Sequence, residues 1–269
     1  VRARTLARLG RAEEARARAA ETLSRTLSNA RLERLADDLA AGRRPEPLVG
    51  HAGEGIAEAL YGVARFMVRR NRLVGLAHAR LATHLRPGLV QAHILIGSEL
   101  RRAEQPMLAV AAYEAVPDSA PEALDARIGA AEARESAGML DEAVAELRGV
   151  VARWPDSVDA HTALGDMLRR NERFAEAAAA YDGAIALIGE PEQRHWPLFY
   201  TRGICHERSD QWPLAEADFQ KALELEPEQP QVLNYLGYSW VEMRTNLEEA
   251  EAMIRRAVEQ RPDDGYIVD

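Results

Sequence analysis

The feature that most constrains this chain is a repeated spacing of small and apolar residues near its C-terminal end. In residues 196–229 the recurring markers are Gly203, Ala215, Phe219, Ala222 and Pro227. In residues 230–264 the corresponding markers are Gly237, Ala250, Ile254, Ala257 and Pro262. The last four markers follow one another at spacings of four, three and five residues in both stretches. A fixed period of this kind indicates a repeat architecture rather than one globular core.

The same template matches four earlier stretches. Gly165 with Tyr181 marks one copy, and Gly97 with Tyr113 marks another. A four-residue insertion at 192–195 precedes the fifth copy, and the sixth copy contains one extra residue in its helix turn. The six copies are 56–89, 90–123, 124–157, 158–191, 196–229 and 230–264.

A period of about 34 residues with the pattern W-x2-L-G-x2-Y, then A-x3-F, then Pro is the signature of tetratricopeptide repeats. On these markers the chain resembles the tetratricopeptide repeat family along residues 56–264. The resemblance implies two antiparallel helices per copy, helix A and helix B, which bury their apolar stripes only when the next copy stacks on them. The eighth position is expected to be small because the two helices approach there. We therefore predict an all-α fold, a right-handed α-solenoid superhelix of helix-turn-helix hairpins.

Residues outside the six copies are expected to form incomplete repeats. The N-terminal segment 1–55 predicts helices over 1–29 and 32–41, a partial copy followed by an irregular loop at 42–55 with two prolines and four glycines. Residues 265–269 begin helix A of a further copy. Neither end carries the polar cap that closes a solenoid, so we expect a piece of a longer protein. The uncapped terminal helices offer a route to end-to-end self-association through exposed apolar faces.

Charge is distributed unevenly along the chain, whose formal net charge is −9. Residues 1–103 hold 19 arginines and 10 acidic residues, a net charge of +9, whereas residues 104–269 hold 15 basic and 33 acidic residues, a net charge of −18. The acidic majority argues against nucleic-acid binding. The basic first third can steer an acidic partner, or it can be the solvated outer face of helices. No apolar run approaches about 18 residues, so no transmembrane segment is predicted.

The sequence carries no recognisable catalytic motif. H-E-x-x-H, G-x-S-x-G, G-x-G-x-x-G and paired-cysteine motifs are all absent. Cys205 is the single cysteine, and its neighbour His206 would point about 100° away on a helix, which does not suit a catalytic pair. His93 and His161 occupy the fourth position of their copies, where packing is the expected role. We predict no enzyme activity, no cofactor and no metal.

The resemblance implies that helix A of each copy lines a concave groove for a protein or peptide partner. This groove is acidic in the middle, contains paired arginines, and is more aromatic towards the C-terminal end. The clamp of Lys and Asn residues with which chaperone-binding relatives hold a peptide carboxylate is absent, because Lys221 is the single lysine. The candidate partner-binding residues are Gln91, Arg101, Arg102, Asp125, Glu132, Glu135, Asp159, Asp166, Arg169, Arg170, Tyr200, Arg208, Asn234 and Tyr238.

A closer resemblance rests on the segments 234–239 and 261–269, which look like those of long, exported bacterial tetratricopeptide proteins. Some of these resemble outer-membrane lipoprotein adaptors that present cell-wall hydrolases to a protease, which implies a periplasmic or outer-membrane-associated location; a cytoplasmic one stays open. The leading interpretation is a non-catalytic protein-interaction scaffold, in its specific form a bacterial envelope adaptor for a protease or hydrolase. The alternatives are an RNA-binding helical repeat protein and the interaction module of a larger enzyme.

Overall fold

The computed structural model describes residues 2–23, 30–43 and 49–268. Within these residues the regular secondary structure is entirely helical, which confirms the predicted all-α class. The chain divides into two compact units, Val1–Glu146 and Leu147–Asp269. The α-helices are α1 (Arg2–Arg8), α2 (Ala12–Leu23), α3 (Ala30–Ala40), α4 (Ala52–Met67), α5 (Arg72–Leu85), α6 (Val90–Arg102), α7 (Pro106–Glu114), α8 (Ala123–Ser136), α9 (Leu140–Arg153), α10 (Val158–Arg170), α11 (Phe174–Leu187), α12 (Trp196–Glu207), α13 (Trp212–Leu225), α14 (Pro230–Glu242), α15 (Leu247–Gln260) and α16 (Gly265–Val268). A short 3-10 helix, Gln193–His195, lies in the predicted insertion before α12.

Consecutive helices pack as hairpins. In the first unit α1 packs on α2, α4 on α5, and α6 on α7; in the second unit α10 packs on α11, α12 on α13, and α14 on α15. Each unit has its own apolar core. In the first unit the core includes Leu100, Tyr113 and Val116, and in the second it includes Phe219, Leu236 and Trp240. The helices are mostly 12 to 16 residues long, too short to be stable alone, so tertiary packing holds them.

A glycine of helix A faces an aromatic ring of helix B in three of the hairpins. A Cβ atom on Gly97 would lie 2.7 Å from Cζ of Tyr113, and one on Gly165 would lie 2.8 Å from Cε1 of Tyr181. Gly203 and Phe219 repeat this contact at 2.7 Å. The small residue at the eighth position is therefore required by a ring face. In the last hairpin the neighbour of Gly237 is Cγ1 of Ile254, at 2.9 Å.

The turn between helices A and B has a recurring left-handed residue. Glu104, Glu172 and Asp210 have φ of 56°, 60° and 58°, and Gly138 takes the same place with φ of 79°. The next amide then donates to a carbonyl five residues earlier; Arg173 N–H, for example, reaches the oxygen of Leu168 at 2.9 Å. This is the Schellman arrangement, which satisfies a carbonyl at the end of helix A and reverses the chain.

The N-terminal segment differs in part from its prediction. A turn at Gly10, with φ of 79°, separates α1 from α2 within the helical segment predicted over 1–29, at the place where Leu9 and Gly10 predict the turn of a partial copy. The expectation that 42–55 is irregular throughout is wrong for its last residues, because α4 begins at Ala52. The cause is a cap: His51 Nδ1 accepts from Glu54 N–H, and the Glu54 carboxylate accepts from Gly50 N–H at 2.6 Å. Residues 24–29 and 44–48 lie outside the described part of the chain.

The ring contact predicts opposite effects of the same substitution at two helical glycines. Gly203→Ala places a methyl group against the fully buried ring of Phe219, and such overpacking costs about 1–3 kcal/mol. Gly149→Ala, on α9 with nothing within 4 Å of its Cβ position, should instead raise the free energy of unfolding by up to about 1 kcal/mol. Urea unfolding of both variants measures the difference. Equal stabilisation by both alanines would contradict the proposed contact.

The left-handed turn predicts that glycine is the better residue at position 172. Because a side chain in this conformation costs about 1–2 kcal/mol, we expect Glu172→Gly to stabilise the chain by up to about 1 kcal/mol. The reverse change, Gly138→Ala, adds a Cβ that meets no other atom within 4 Å and should destabilise through backbone strain alone. Thermal unfolding tests the pair, and a loss of stability in Glu172→Gly would refute this account of the turn.

Candidate functional site

A pocket of about 560 Å³ lies in the second unit between α12, α14, α15 and α16. We call it the C-terminal pocket. Its volume is within the range of about 300–1,000 Å³ that is usual for ligand sites in proteins. Its lining residues are Glu207, Arg208, Asn234, Tyr235, Tyr238, Ser239, Glu242, Ile254, Val258 and Ile267.

Helix α14 supplies half of the lining residues of the pocket. One face of this helix packs in the core, and a neighbouring face lines the pocket. Leu233, Leu236 and Trp240 are buried in the core of the unit. Asn234 and Tyr238, four residues apart, lie one above the other on a neighbouring face that is open to the pocket. The core residues thus fix the rotation of α14, and this rotation decides which polar side chains reach the pocket.

The floor of the pocket is apolar and held in place. Ile254 and Val258 come from α15, and the buried Ile267 comes from α16. Tyr235 packs its ring against Phe219, with centroids 5.1 Å apart, and meets Tyr200 edge-on at 6.0 Å. These aromatic contacts are of the kind worth about 0.5–1.5 kcal/mol beyond area burial, so the ring of Tyr235 is a fixed wall.

The rim of the pocket is polar, and only some of its hydrogen-bonding groups have partners among the described residues. Tyr235 Oη donates to Glu207 Oε2 at 3.0 Å, and the Arg208 guanidinium lies over the Phe174 ring, 5.0 Å from its centroid. Tyr238 is 57% exposed. Within the described part of the chain, neither the Tyr238 hydroxyl nor the Asn234 amide makes a hydrogen bond. Such a rim can accept and donate hydrogen bonds to the backbone of an extended peptide.

The structure brings three of the sequence-predicted residues into this pocket, namely Arg208, Asn234 and Tyr238. Tyr200 does not line it, because its ring packs with Trp196, Phe219 and Tyr235. The tyrosines that line the pocket are therefore Tyr235 and Tyr238, and only Tyr238 was among the predicted residues.

The other predicted residues of the second unit lie on α10. Asp166 accepts a hydrogen bond from Tyr181 Oη at 2.7 Å and lies 3.9 Å from Arg169 Nη2. Burial and the neighbouring Asp166 raise the pKa of Tyr181. Asp166 therefore has a structural partner in its own hairpin. The side chains of Asp159 and Arg170 are exposed.

In the first unit, four of the predicted residues, Gln91, Arg101, Arg102 and Glu132, pair with side chains of the unit. Gln91 donates to Glu122 at 2.5 Å. Arg101 forms an ion pair with Glu132 at 3.1 Å, and Arg102 forms one with Glu99 at 2.9 Å. Asp125 is exposed and Glu135 is half-buried. The Arg101–Glu132 pair connects α6 to α8, Gln91 connects α6 to the residue that precedes α8, and the Arg102–Glu99 pair lies within α6. Each of these contacts gives its residues a structural role.

Sequence reasoning missed the pocket floor. Ile254 was identified only as a packing marker of the repeat, and Val258 and Ile267 were not singled out. The family rule assigns partner contacts to helix A, whereas Ile254 and Val258 lie on α15, the helix B of its hairpin. The signal that could have found them is the apolar i, i+4 spacing on α15, read together with Tyr238.

Arg202 organises a buried charged cluster beside the single cysteine. Its guanidinium donates to Asp218 at 2.8 and 2.6 Å and to Asp182 at 2.7 Å. His206 Nε2 lies 3.8 Å from Asp218 Oδ2, and burial lowers the pKa of His206. Burial also raises the pKa of the Cys205 thiol to about 12. The thiol stays protonated near neutral pH, so Cys205 supplies no thiolate nucleophile. The hydrogen bonds of Arg202 to Asp218 connect α12 to α13.

Histidines have local structural roles at two equivalent positions. His93 Nε2 lies 2.8 Å from the Pro87 carbonyl oxygen, and His161 Nε2 lies 3.1 Å from that of Pro155. Across residues 2–23, 30–43 and 49–268, no group of His, Cys, Asp and Glu side chains is placed to hold a metal ion. In the same residues no helix has both the length and the apolar character needed to span a membrane.

Hairpins of paired helices with an open, mixed pocket define a helical-repeat protein of the kind that presents a surface for binding. A family model described as "Tetratricopeptide repeat" matches residues 94–150, 137–191 and 200–265, which together are more than half of the chain. The chain therefore belongs to the tetratricopeptide repeat family. This fold supports a protein-interaction scaffold.

A bacterial relative is similar in sequence over part of its length. "TPR repeat-containing protein PA4667" of Pseudomonas aeruginosa is 28% identical over 134 residues, which are 49% of this chain and 22% of the relative. The chain thus spans about a fifth of the length of the curated relative it matches.

Two solved structures share the fold. "MamA 41-end from Desulfovibrio magneticus RS-1" has a TM-score of 0.52 at 19% identity and covers 67% of this chain and 99% of its own. The "APC/C hetero-tetramer Cut9-Hcn1" structure has a TM-score of 0.55 at 12% identity and covers 95% of this chain and 51% of its own. At these identities the likeness concerns the fold alone.

The buried histidine predicts a pH dependence of stability. Because the pKa of His206 is lowered in the folded state, the unfolded chain binds this proton first as the pH falls. Stability from neutral His206 is present above its ordinary pKa of about 6.5 and is lost as the pH falls below that value. We expect urea midpoints to decrease from about pH 7 to pH 5, and to decrease less in His206→Gln. The exposed His84 supplies the control, since His84→Gln should retain the full decrease.

Proposed function

We propose that this chain is a non-catalytic protein-interaction scaffold whose C-terminal pocket binds an extended segment of a partner polypeptide. The proposal rests on the pairing of an apolar floor with rim groups that make no hydrogen bond to any residue the structure describes. Ile254 and Val258 can accept a bulky apolar side chain. Asn234 and the Tyr238 hydroxyl can bind the peptide groups on either side of it.

The charged residues of the rim indicate which kind of partner segment the pocket prefers. Glu207 and Glu242 both line the pocket beside a single cation, Arg208, so the rim has an acidic excess. Glu207 has the Tyr235 hydroxyl as donor, whereas Glu242 has no partner among the described residues. An apolar side chain flanked by a basic or amide-rich stretch suits this arrangement best.

The predicted groove acids of the two units, Asp125, Glu132, Glu135, Asp159 and Asp166, are proposed as a secondary determinant of partner charge. Glu132 and Asp166 already interact with cations of the chain. Their contribution is therefore expected to affect association rate and salt dependence, while the C-terminal pocket provides affinity.

The specific form of the proposal is an adaptor in the bacterial envelope that presents a cell-wall hydrolase to a protease. It is supported by the resemblance of residues 234–239 and 261–269 to exported bacterial tetratricopeptide proteins, and residues 234–239 are also part of the pocket helix. A crosslinking pull-down of the full-length protein from its native cell tests this form. Recovery of RNA or of cytoplasmic proteins alone would refute it without affecting the fold.

Substitution of Tyr238 tests the pocket directly. Tyr238→Ala removes a large side chain from the rim, and we expect it to speed dissociation of the captured partner by an amount typical of a hot spot, about 2 kcal/mol. Leu214→Ala is the control, because Leu214 is also about half exposed but lies on α13 outside the pocket. Surface plasmon resonance compares the two variants. If Leu214→Ala weakens binding as much as Tyr238→Ala, the pocket is not the site.

A further inference from the structure

The first unit contains a cavity of about 820 Å³ between the end of α4, the turn that leads into α5, and α6. We call it the arginine cavity. It is distinct in position and in charge from the C-terminal pocket. Its lining residues are Arg65, Phe66, Val68, Arg69, Arg70, Arg72, Leu95, Ser98, Glu99 and Arg102.

One buried carboxylate neutralises part of the positive charge of this cavity. Glu99 accepts a hydrogen bond from Arg102 Nη1 at 2.9 Å and lies 3.8 Å from Arg72 Nε. Arg72 also donates to the Arg102 carbonyl oxygen at 3.4 Å. Glu99 is buried, so it fixes these two guanidinium groups at the cavity wall and leaves the other three arginines unmatched.

The three remaining guanidinium groups have no carboxylate partner within the described residues. Arg65 lies 5.9 Å from the Tyr61 ring centroid, and Arg70 stacks on the Phe66 ring at 4.0 Å. Arg69 makes no ion pair or hydrogen bond in the same residues. Several other arginines of this unit are paired with carboxylates; Arg134, for example, pairs with both Glu114 and Glu146. The cavity is therefore a local excess of cation that the unit itself does not balance.

The turn that carries two of these arginines is held firmly. Unlike the turns at 104, 138, 172 and 210, residues 68–71 contain no left-handed residue. Instead Val68 lies so close to α5 that a Cβ atom on Gly75 would be 2.5 Å from Val68 Cγ1 and 2.7 Å from its backbone nitrogen. Asn71 Oδ1 caps α5 by accepting from Val74 N–H at 3.2 Å. Both contacts fix the backbone on either side of Arg69 and Arg70 before any partner arrives.

An exposed apolar group accompanies the cations. Phe66 is 56% exposed, and Val63, one turn earlier on α4, is 43% exposed. Arg70 covers one face of the Phe66 ring. A partner that supplies only negative charge would leave this apolar surface in water, so the cavity fits a ligand with both a carboxylate and an apolar side chain.

We propose that the arginine cavity binds an acidic segment of a partner protein that contains an aromatic or aliphatic side chain. Guanidinium groups match carboxylates by bidentate hydrogen bonds, and Phe66 supplies the apolar contact. A polypeptide is favoured over nucleic acid because residues 104–269 carry a net charge of −18, which repels a long polyanion but not a short acidic segment.

The test uses the full chain and a fluorescein-labelled peptide rich in glutamate with one central phenylalanine. Fluorescence anisotropy should show saturable binding that weakens as salt is added. Arg69→Glu and Arg70→Glu should each weaken binding by about tenfold, because each replaces an attraction by a repulsion. A peptide with glutamine in place of every glutamate should bind no better than these variants bind the acidic peptide.

Arg80→Glu is the matched control. Arg80 is exposed on α5 and has no carboxylate partner within the described residues. Its substitution by glutamate changes the net charge by the same amount as Arg69→Glu or Arg70→Glu. It should leave the affinity within about twofold of the unmodified chain. Equal weakening by Arg80→Glu would overturn the proposal in favour of non-specific attraction. Tighter binding of a single-stranded RNA that displaces the peptide would overturn it in favour of a polyanion site.

The experiment must also distinguish a partner protein from a second copy of this chain as the occupant of the arginine cavity. If sedimentation shows a dimer that both the acidic peptide and Arg69→Glu dissociate, the cavity is a self-association surface and the proposal fails. The outcome is independent of the C-terminal pocket, because Tyr238→Ala should leave peptide binding at the arginine cavity unchanged. Failure at one site is thus distinguishable from failure at the other.

Discussion

The contact between a glycine of helix A and a ring of helix B is the constraint on which three of the hairpins depend. Tyr113 shows its strength, since its ring lies against both Gly97 of its own hairpin and Gly129 of α8, where a Cβ atom would be 2.6 Å from Cζ. The ring therefore joins two successive copies as well as the two helices of one copy. Neither glycine can gain a methyl group without moving this buried ring. The absence of a side chain at Gly97 and Gly129 therefore sets the spacing between these helices.

Within this framework, several charged side chains connect successive elements of the chain. Arg127 pairs with Asp118 and Arg202 with Asp218, and Arg134 connects two glutamates. Surfaces where this internal matching fails are the informative ones. Among the described residues, the groups without a partner at the C-terminal pocket are the Asn234 amide, the Tyr238 hydroxyl and the Glu242 carboxylate. At the arginine cavity they are guanidinium groups without a carboxylate partner. The two surfaces differ in chemistry, so they favour different partner segments.

The predicted groove residues show what can be predicted from the position of a residue on helix A and what cannot. Arg208, Asn234 and Tyr238 were assigned from their positions on helix A and line the C-terminal pocket. Tyr200 was assigned by the same rule, yet its ring lies in an aromatic cluster with Phe219 and Tyr235. The rule locates a face of a helix but does not decide whether a large ring on that face turns inward. Similarly, glycines at 53 and 55 predicted a loop, whereas the cap made by His51 and Glu54 starts a helix there.

The sequence by itself determined the period, the hairpins, the small residue at the eighth position and the helix breaks, because each of these depends on local chemistry that recurs at a fixed spacing. The tertiary structure alone decided which charges are matched. Gln91 with Glu122, Arg101 with Glu132, and Tyr235 with Glu207 are each separated by about one repeat. Whether such groups meet depends on how one hairpin is rotated against the next, and this rotation follows from the packing of many side chains at once.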